Sequence, residues 1–483
     1  MFDISNFENP QVFKFFGEIS RIPRGSGNTK AISRYLVDTA KAAGLEHYSD
    51  SVNNVIIIRE ASAGHGDVPA VMLQGHMDMV CEKDDSSAHD FLKDGLDLDF
   101  DGDFLFAKGT TLGGDDGIAV AYMLALLTDP DYKGPRIECV FTVDEETGME
   151  GAYAIDLSPC KAKRLINLDV EEEGVFITGC AGGTRLISTL PFTRMTGTGS
   201  LYDIKISGLV GGHSGDEINK KRANAIRLGA RLLYTLKDKE IPFGLVSING
   251  GAKDNAIPRS AELTISSYCE EKKLRSLIED FAKEIAAEYY PAEQSINISF
   301  ETSHAGNEPH MVLSDGSLKS LLLMAYAMPN GVMATSKLIH GLTETSVNLG
   351  ILTTSESEIK ATYLLRSSVA GRLTELKERM LLILEAAGCD TVTGNSYPGW
   401  EYAKESPLRD AMGAFWEKKY GRMPAIKAIH GGLECGIIKS KAPDVDIVAV
   451  GPNIFDIHTP KERMSISSAS KVFDYLREFL ASL

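Results

Sequence analysis

Apolar positions near the start of the chain recur at helical spacing over residues 10–19 and 29–43, the second stretch closed by Gly44 as a C-cap. Short continuous apolar runs follow at 54–58, 70–73, 137–143 and 165–168, with a helical pattern over 117–127 between the second and third. The last portion resumes this style, with a helix over 407–420, an apolar run at 445–450 and a helix over 465–480. Apolar runs interleaved with helices in this order predict an α/β layer domain.

The middle of the chain is patterned differently. From about residue 184 to 395 it reads as strand–helix–strand–strand–helix–strand, twice. The first pass uses helices over 217–236 and 272–288, the second helices over 317–328 and 374–387. One internal likeness supports a duplication: VSINGGAKDNAIPRSAELTISS and SVNLGILTTSESEIKATYLLRS share a strand, a gap and a second strand. The expected fold is a discontinuous α/β catalytic domain with a mixed sheet, formed by residues 1–183 and 396–483. Inserted in it is an α+β domain, 184–395, ferredoxin-like and duplicated.

Composition narrows the function classes. A chain of 483 residues is long for one core, and its 43% apolar and 24% charged residues are ordinary for a folded globular protein. A net charge of −17 offers no basic stripe to neutralise phosphates, so nucleic acid is not an expected partner. The seven cysteines are scattered and never in a Cys-x-x-Cys pair, which suits reduced thiols in a cytosol. The N-terminal MFDISNFENPQVFKFF lacks the pattern of a signal peptide, and the apolar helix around 118–127 is too short to span a bilayer. The expected location is cytoplasmic, with no membrane partner.

The candidate chemistry lies where the apolar runs end. His76 and Asp78 follow AVMLQ; Asp144, Glu145 and Glu146 follow IECVFTV; Asp169 closes LINL; His458 lies beyond DIVAV. Asp115 and Asp116 open the helix GIAVAYMLALL behind GTTLGG. In α/β sheets, ligands bind beyond the carboxyl ends of the strands. Two imidazoles and three carboxylates suit zinc, and also manganese or cobalt, and one carboxylate could bridge two such ions. Each segment alone has a plainer use. Asp115 and Asp116 could cap a helix, Glu145–Glu146 could be a solvated pair, and Asp169 leads into an acidic run that reads as an exposed loop. Five segments with the same placement point instead to one metal site.

The motifs GHMD (75–78), GGDDG (113–117), DEETG (144–148), LD (168–169) and HTPKE (458–462) resemble those of the co-catalytic zinc metallopeptidases. That family includes aminoacylase, carboxypeptidase G and bacterial dipeptidases. The resemblance implies Asp115 as the bridging ligand, His76 and Asp169 completing one site, and Glu146 and His458 the other. It also implies Glu145 as general base, and Asp78 as the partner that fixes the tautomer of His76. The whole-chain likeness, above all the enlarged middle domain, is to the dipeptidases, with a dipeptide as substrate and two divalent ions, zinc by preference, as cofactors.

GGHSG (211–215) resembles the family's lid histidine, which implies that His213 donates to the oxyanion. Because that residue often acts from the partner subunit, the resemblance also implies a homodimer through the lid. DNAIP (254–258) implies Asn255 as a substrate contact. The family's arginine after the next strand is absent, since ELTISSY ends at Ser267-Tyr268; Arg366, after KATYLLR, is its expected replacement for gripping a carboxylate. HGGLECG (430–436) resembles a glycine turn near substrate, where Gly431 or Gly432 could offer backbone amides; His430 and Glu434 receive no role. His213 could equally be a turn residue, and Arg366 an ordinary surface arginine. The nearest rivals are an N-acyl amino acid deacylase or a carboxypeptidase with the same metals. A non-catalytic binding module is a further alternative.

Overall fold

The computed structural model describes residues 7–483, so part of the N-terminal stretch read above, residues 1–6, lies outside the described residues. The chain divides into two compact units. One comprises residues up to Gly179, Tyr402–Ala428 and Glu434–Leu483; the other comprises Cys180–Glu401 and Ile429–Leu433.

The first unit is built on an eight-stranded mixed sheet, in the order Glu46–Ser49, Val55–Arg59, Ile137–Thr142, Val71–His76, Arg164–Asn167, Asp446–Ala449, Val175–Cys180, Ala425–Ile429. Its centre is parallel: Val71–His76 runs parallel to both neighbours, and Asp446–Ala449 parallel to Arg164–Asn167. Central strands buried on both faces read as continuous apolar runs, and Val71–His76 and Ile137–Thr142 are buried at every position. The helix Gly114–Thr128 packs on Val71–His76 and on the helix Pro10–Ile19, and is buried along nearly all its length. Pro10–Ile19 and Pro407–Tyr420 have the expected bounds. A four-stranded antiparallel sheet, Ile454–Phe455, Arg463–Ser465, Phe104–Ala107 and Leu98–Asp101, was not anticipated. Its hairpin carries a local signal, alternating LDLDF before Asp101-Gly102, with Gly102 at φ 59° as a tight turn needs.

The second unit holds a nine-stranded sheet in which two βαββαβ halves meet edge to edge. One half uses Ser200–Ser207, Gly244–Gly250, Ala261–Ser267 and Asn297–His304 with the helices Ala225–Asp238 and Glu271–Tyr289. The other uses Gly182–Pro191, Thr343–Thr354, Glu358–Ser367 and Asp390–Tyr397 with Asp315–Leu322 and Ala370–Ala386. Gly250 pairs with Leu352 where the halves join. The duplication is nested, because the first strand of one half precedes the whole of the other. Two expected helices begin or end elsewhere. The stretch expected as 217–236 is a short 3₁₀ turn, Ile218–Lys220, and then a helix from Ala225, because the Asn224 side chain accepts from Arg227 N and caps it there. The stretch 317–328 is helical over Asp315–Leu322 and then takes a π turn, Leu323–Ala327. Residues 429–433 count with the second unit because Ala181 N donates to the carbonyls of Ile429 and Gly431.

Candidate metal centre

Seven of the predicted site residues meet in the first unit, at the carboxyl ends of its central strands. His76 ends its strand, and its Nε2 lies 3.1 Å from Asp115 Oδ1 and 3.9 Å from Asp169 Oδ1. The other oxygen of Asp115, Oδ2, lies 3.2 Å from Nε2 of His458, and both Glu146 oxygens lie 3.1 Å from that same nitrogen. One carboxylate therefore stands between two imidazoles, each reaching a further carboxylate. Ligands about 2.0–2.1 Å from a tetrahedral zinc are roughly 3.3 Å apart, so these separations fit a donor set around divalent ions. Three groups of donor atoms each lie within 4.8 Å of one another: His76, Asp116, Asp169; His76, Glu145, Glu146; and Asp115, Glu146, His458.

The charges respond to this crowding. Burial opposes protonation of His76, but Asp115, Asp78 and Asp169 outweigh it and push its pKa well above the ordinary value. His458 is pushed up to about 10, by Asp115 first and Glu146 next. Asp115, against the effect of burial, is held far below the usual carboxylate range by His458 and His76. Glu145 is driven the other way, to about 8, by burial first and then by the carboxylates of Glu434, Glu146 and Asp115. Asp169 is likewise raised by burial and by Asp116 and Asp115.

Around this centre lies a shell of polar contacts. Asp78 Oδ1 stands 3.4 Å from His76 Nδ1, and the Asp78 carboxylate accepts from Ser26 Oγ at 2.8 Å and Glu145 N at 3.2 Å. Asp78, two residues beyond His76, thus reaches the segment carrying Glu145. Glu462, from the HTPKE motif, accepts from the amides of Leu112, Gly113, Gly114 and Asp115 at 2.8–3.3 Å. The N-terminus of the helix Gly114–Thr128 is therefore capped by a residue about 350 positions away, and neither Asp115 nor Asp116 caps it. Asp116 Oδ2 accepts from His76 N at 3.2 Å, in space that exists only because residue 75 is glycine; a Cβ there would lie 2.4 Å from that oxygen. Beneath His76, Glu434 accepts from Gln74 Nε2 and Thr142 Oγ1, both at 2.6 Å, and burial raises its pKa to about 7. Asp116, Glu462 and the Glu434 contacts escaped the sequence reading. The one available signal was that Asp116 and Glu462 fall inside motifs already singled out.

The remaining predicted residues belong to the second unit. His213 pairs with Ala256 in a two-residue ladder that brings it beside Asn255, whose carbonyl accepts from Ser214 N at 2.8 Å. His213 Nδ1 lies 2.9 Å from Asp216 Oδ2. The Asp216 carboxyl is held low by that bond first, with the charge of Arg366 adding to it. Arg366 is 6% exposed, donates from Nη1 to Tyr397 Oη at 2.8 Å, and leaves its Nε without a partner. Among the described residues it has no ion pair with a carboxylate. His430 bonds Ser346 Oγ at 2.7 Å and is kept neutral, its pKa lowered to about 3 by burial and by Arg366. Gly432 is required by packing, since a Cβ there would fall 2.8 Å from the Tyr397 ring. Cys81, Cys139, Cys160, Cys269 and Cys389 are free thiols. No helix of the described residues is long and apolar enough to cross a membrane.

Residues 72–482 match the model of peptidase family M20/M25/M40. The chain is 33% identical over 486 residues to the cytosol non-specific dipeptidase of Escherichia coli (strain K12), covering 100% of this chain and 99% of the relative. It is also similar to the solved structure of an aminoacylhistidine dipeptidase from Vibrio alginolyticus, with a TM-score of 0.90 and 33% identity over 100% of this chain and 98% of that one. A tripeptidase from Staphylococcus aureus, 17% identical with a TM-score of 0.58 over 99% and 98% of the two chains, shares the fold.

Proposed function

Because the chain belongs to peptidase family M20/M25/M40, we propose that it is a two-metal dipeptidase hydrolysing the peptide bond of unblocked dipeptides, with Glu145 as general base. The carrying observation is the Asp115 carboxylate shared between His76 and His458, each of which reaches a further carboxylate. His76, Asp115 and Asp169 would hold one ion, and Asp115, Glu146 and His458 the other. Two nitrogens with hard oxygens suit zinc first, then cobalt or manganese. Divalent ions bound there supply Lewis acidity, polarising a carbonyl and lowering the pKa of water toward about 7.

The chain's own groups do the rest. Glu145, a buried carboxyl whose pKa is already raised, takes a proton from the attacking water and passes it to the leaving amine. Asp78 is assigned to orient His76 from the Nδ1 side, where its Oδ1 lies 3.4 Å away, while Nε2 faces Asp115. In the second unit, His213 and Asn255 are assigned to the substrate carbonyl, with Asp216 orienting the imidazole. Arg366 is assigned to the substrate's C-terminal carboxylate, because a buried guanidinium without an ion pair is costly until an anion meets it. Gly432 lines the same subsite. The assembly is a homodimer through the inserted domain, and the location is cytoplasmic, as the name of the Escherichia coli relative suggests.

The test is a substrate panel on chelator-stripped and metal-restored protein. Free dipeptides, aminoacyl-histidines among them, are cleaved only after divalent ions are returned, while tripeptides and N-acetyl amino acids are not. Preferential cleavage of the acetylated amino acids would make the enzyme a deacylase, the rival reading.

A further inference from the structure

The sheet of the second unit sets four residues in one row across its strands: Ser346 pairs with Arg366, Arg366 with Gly183, and Gly183 with Tyr397. Side chains directly opposite one another in adjacent strands stand on the same face. Arg366 and Tyr397 are therefore two strands apart on one face, with a glycine between them. That glycine leaves the path open. A Cβ on Gly183 would lie 2.5 Å from Cζ and Oη of Tyr397, and one on Gly432 would lie 2.8 Å from the ring on another side. The ring is thus slotted between two glycines, and its hydroxyl accepts from Nη1 of Arg366 at 2.8 Å.

This contact selects an edge of the guanidinium. Arginine binds a carboxylate bidentately through two N–H groups side by side, and a pinned fork loses less freedom on binding than a loose one. With Nη1 tied to Tyr397, the edge formed by Nε and Nη2 stays available, and Nε is buried with no partner in the protein. We propose that Tyr397 is a positioning residue for substrate recognition, turning the Nε–Nη2 edge of Arg366 toward the free carboxylate of the dipeptide. Gly183 and Gly432 are the residues that admit its ring. The proposal rests on the assignment of Arg366 to that carboxylate and adds the residue that sets its geometry.

The experiment compares Tyr397→Phe and Arg366→Met with the metal-loaded wild-type enzyme. The phenylalanine keeps the ring between the glycines and removes only the hydroxyl. Kinetics are measured on a dipeptide, its C-terminal amide is measured as a competitive ligand, and Tm is recorded. For Tyr397→Phe, KM for the dipeptide rises about tenfold, the scale of one hydrogen bond to a charged group, while kcat, the Ki of the amide and Tm stay at wild-type values. Arg366→Met raises KM further and removes the preference for carboxylate over amide. If Arg366→Met removes that preference and Tyr397→Phe leaves KM unchanged, the role of Tyr397 is overturned and that of Arg366 stands. If Arg366→Met leaves the preference intact, both fall. A Tyr397→Phe enzyme that loses Tm and kcat together would show a role in folding only, which also overturns the proposal.

Discussion

Asp115 is buried between two imidazoles, and each of the three groups changes the others. In the ion-free protein the carboxylate is held ionised by His458 and His76, and both imidazoles are held protonated in return. A group whose pKa in the folded protein lies above the solution pH keeps its proton; His458, near 10, keeps it at pH 8, and Glu145, near 8, keeps it in part. A divalent ion needs the bare imidazole nitrogen and expels that proton. Zinc uptake at pH 8 is therefore expected to release protons, and affinity should rise with pH until His458 deprotonates on its own. Calorimetric titration in two buffers of different ionisation enthalpy checks this; identical heats in both would contradict it. Glu145 is the proposed base rather than a proposed ligand. Glu145→Ala should keep its metal and its fold while losing about a thousandfold in kcat, within the 10²–10⁴ range of general-base catalysis. A variant that retained its rate would remove Glu145 from the mechanism.

Between elements, positions come from contacts that span long stretches of chain. The segment carrying Asp115 is fixed by Glu462, whose carboxylate takes four successive amides at the N-terminus of the helix Gly114–Thr128. Glu462→Ala leaves those donors without their acceptor and frees the segment to shift. Metal affinity is expected to fall about 10–100-fold, as for other residues that orient a ligand, and equilibrium competition with a chelator measures it. Wild-type affinity would mean that the helix end is held by other means. This contact also marks the limit of what the sequence could tell. That His76, Asp115, Glu146, Asp169 and His458 come near one another was legible, because each follows an apolar run or opens a helix. The duty of Glu462 was not, because nothing near it shows which amides it meets. Asp116 was hidden in the same way: its neighbour Asp115 offered the same side chain, and the space in which Asp116 accepts from His76 N is open only because Gly75 has no Cβ. The helix expected from residue 217 begins at Ala225 because Asn224 caps it, a signal present in the chain but masked by apolar spacing that continues upstream.

For the molecule as a whole, the alternation of runs and helices was enough to anticipate an α/β unit and a separate α+β insertion. The nesting of the two βαββαβ halves was not, because their sequence likeness is confined to the second and third strands. The strand Gly182–Pro191 gives no hint that its partners lie beyond residue 340. Pairing at such separations is set by the completed sheet rather than by local pattern. The proposed homodimer is tested at this scale too: sedimentation equilibrium should return a mass of about twice 52.4 kDa, and a monomer that is fully active would contradict it. The proposed activity depends on Asp115 serving two ions at once, and metal content measures that directly. Elemental analysis of wild-type enzyme reloaded with zinc should give about two ions per chain, and Asp115→Ala close to none, because both sites lose a ligand together. If Asp115→Ala retains both ions, or loses only one, the bridged pair is contradicted.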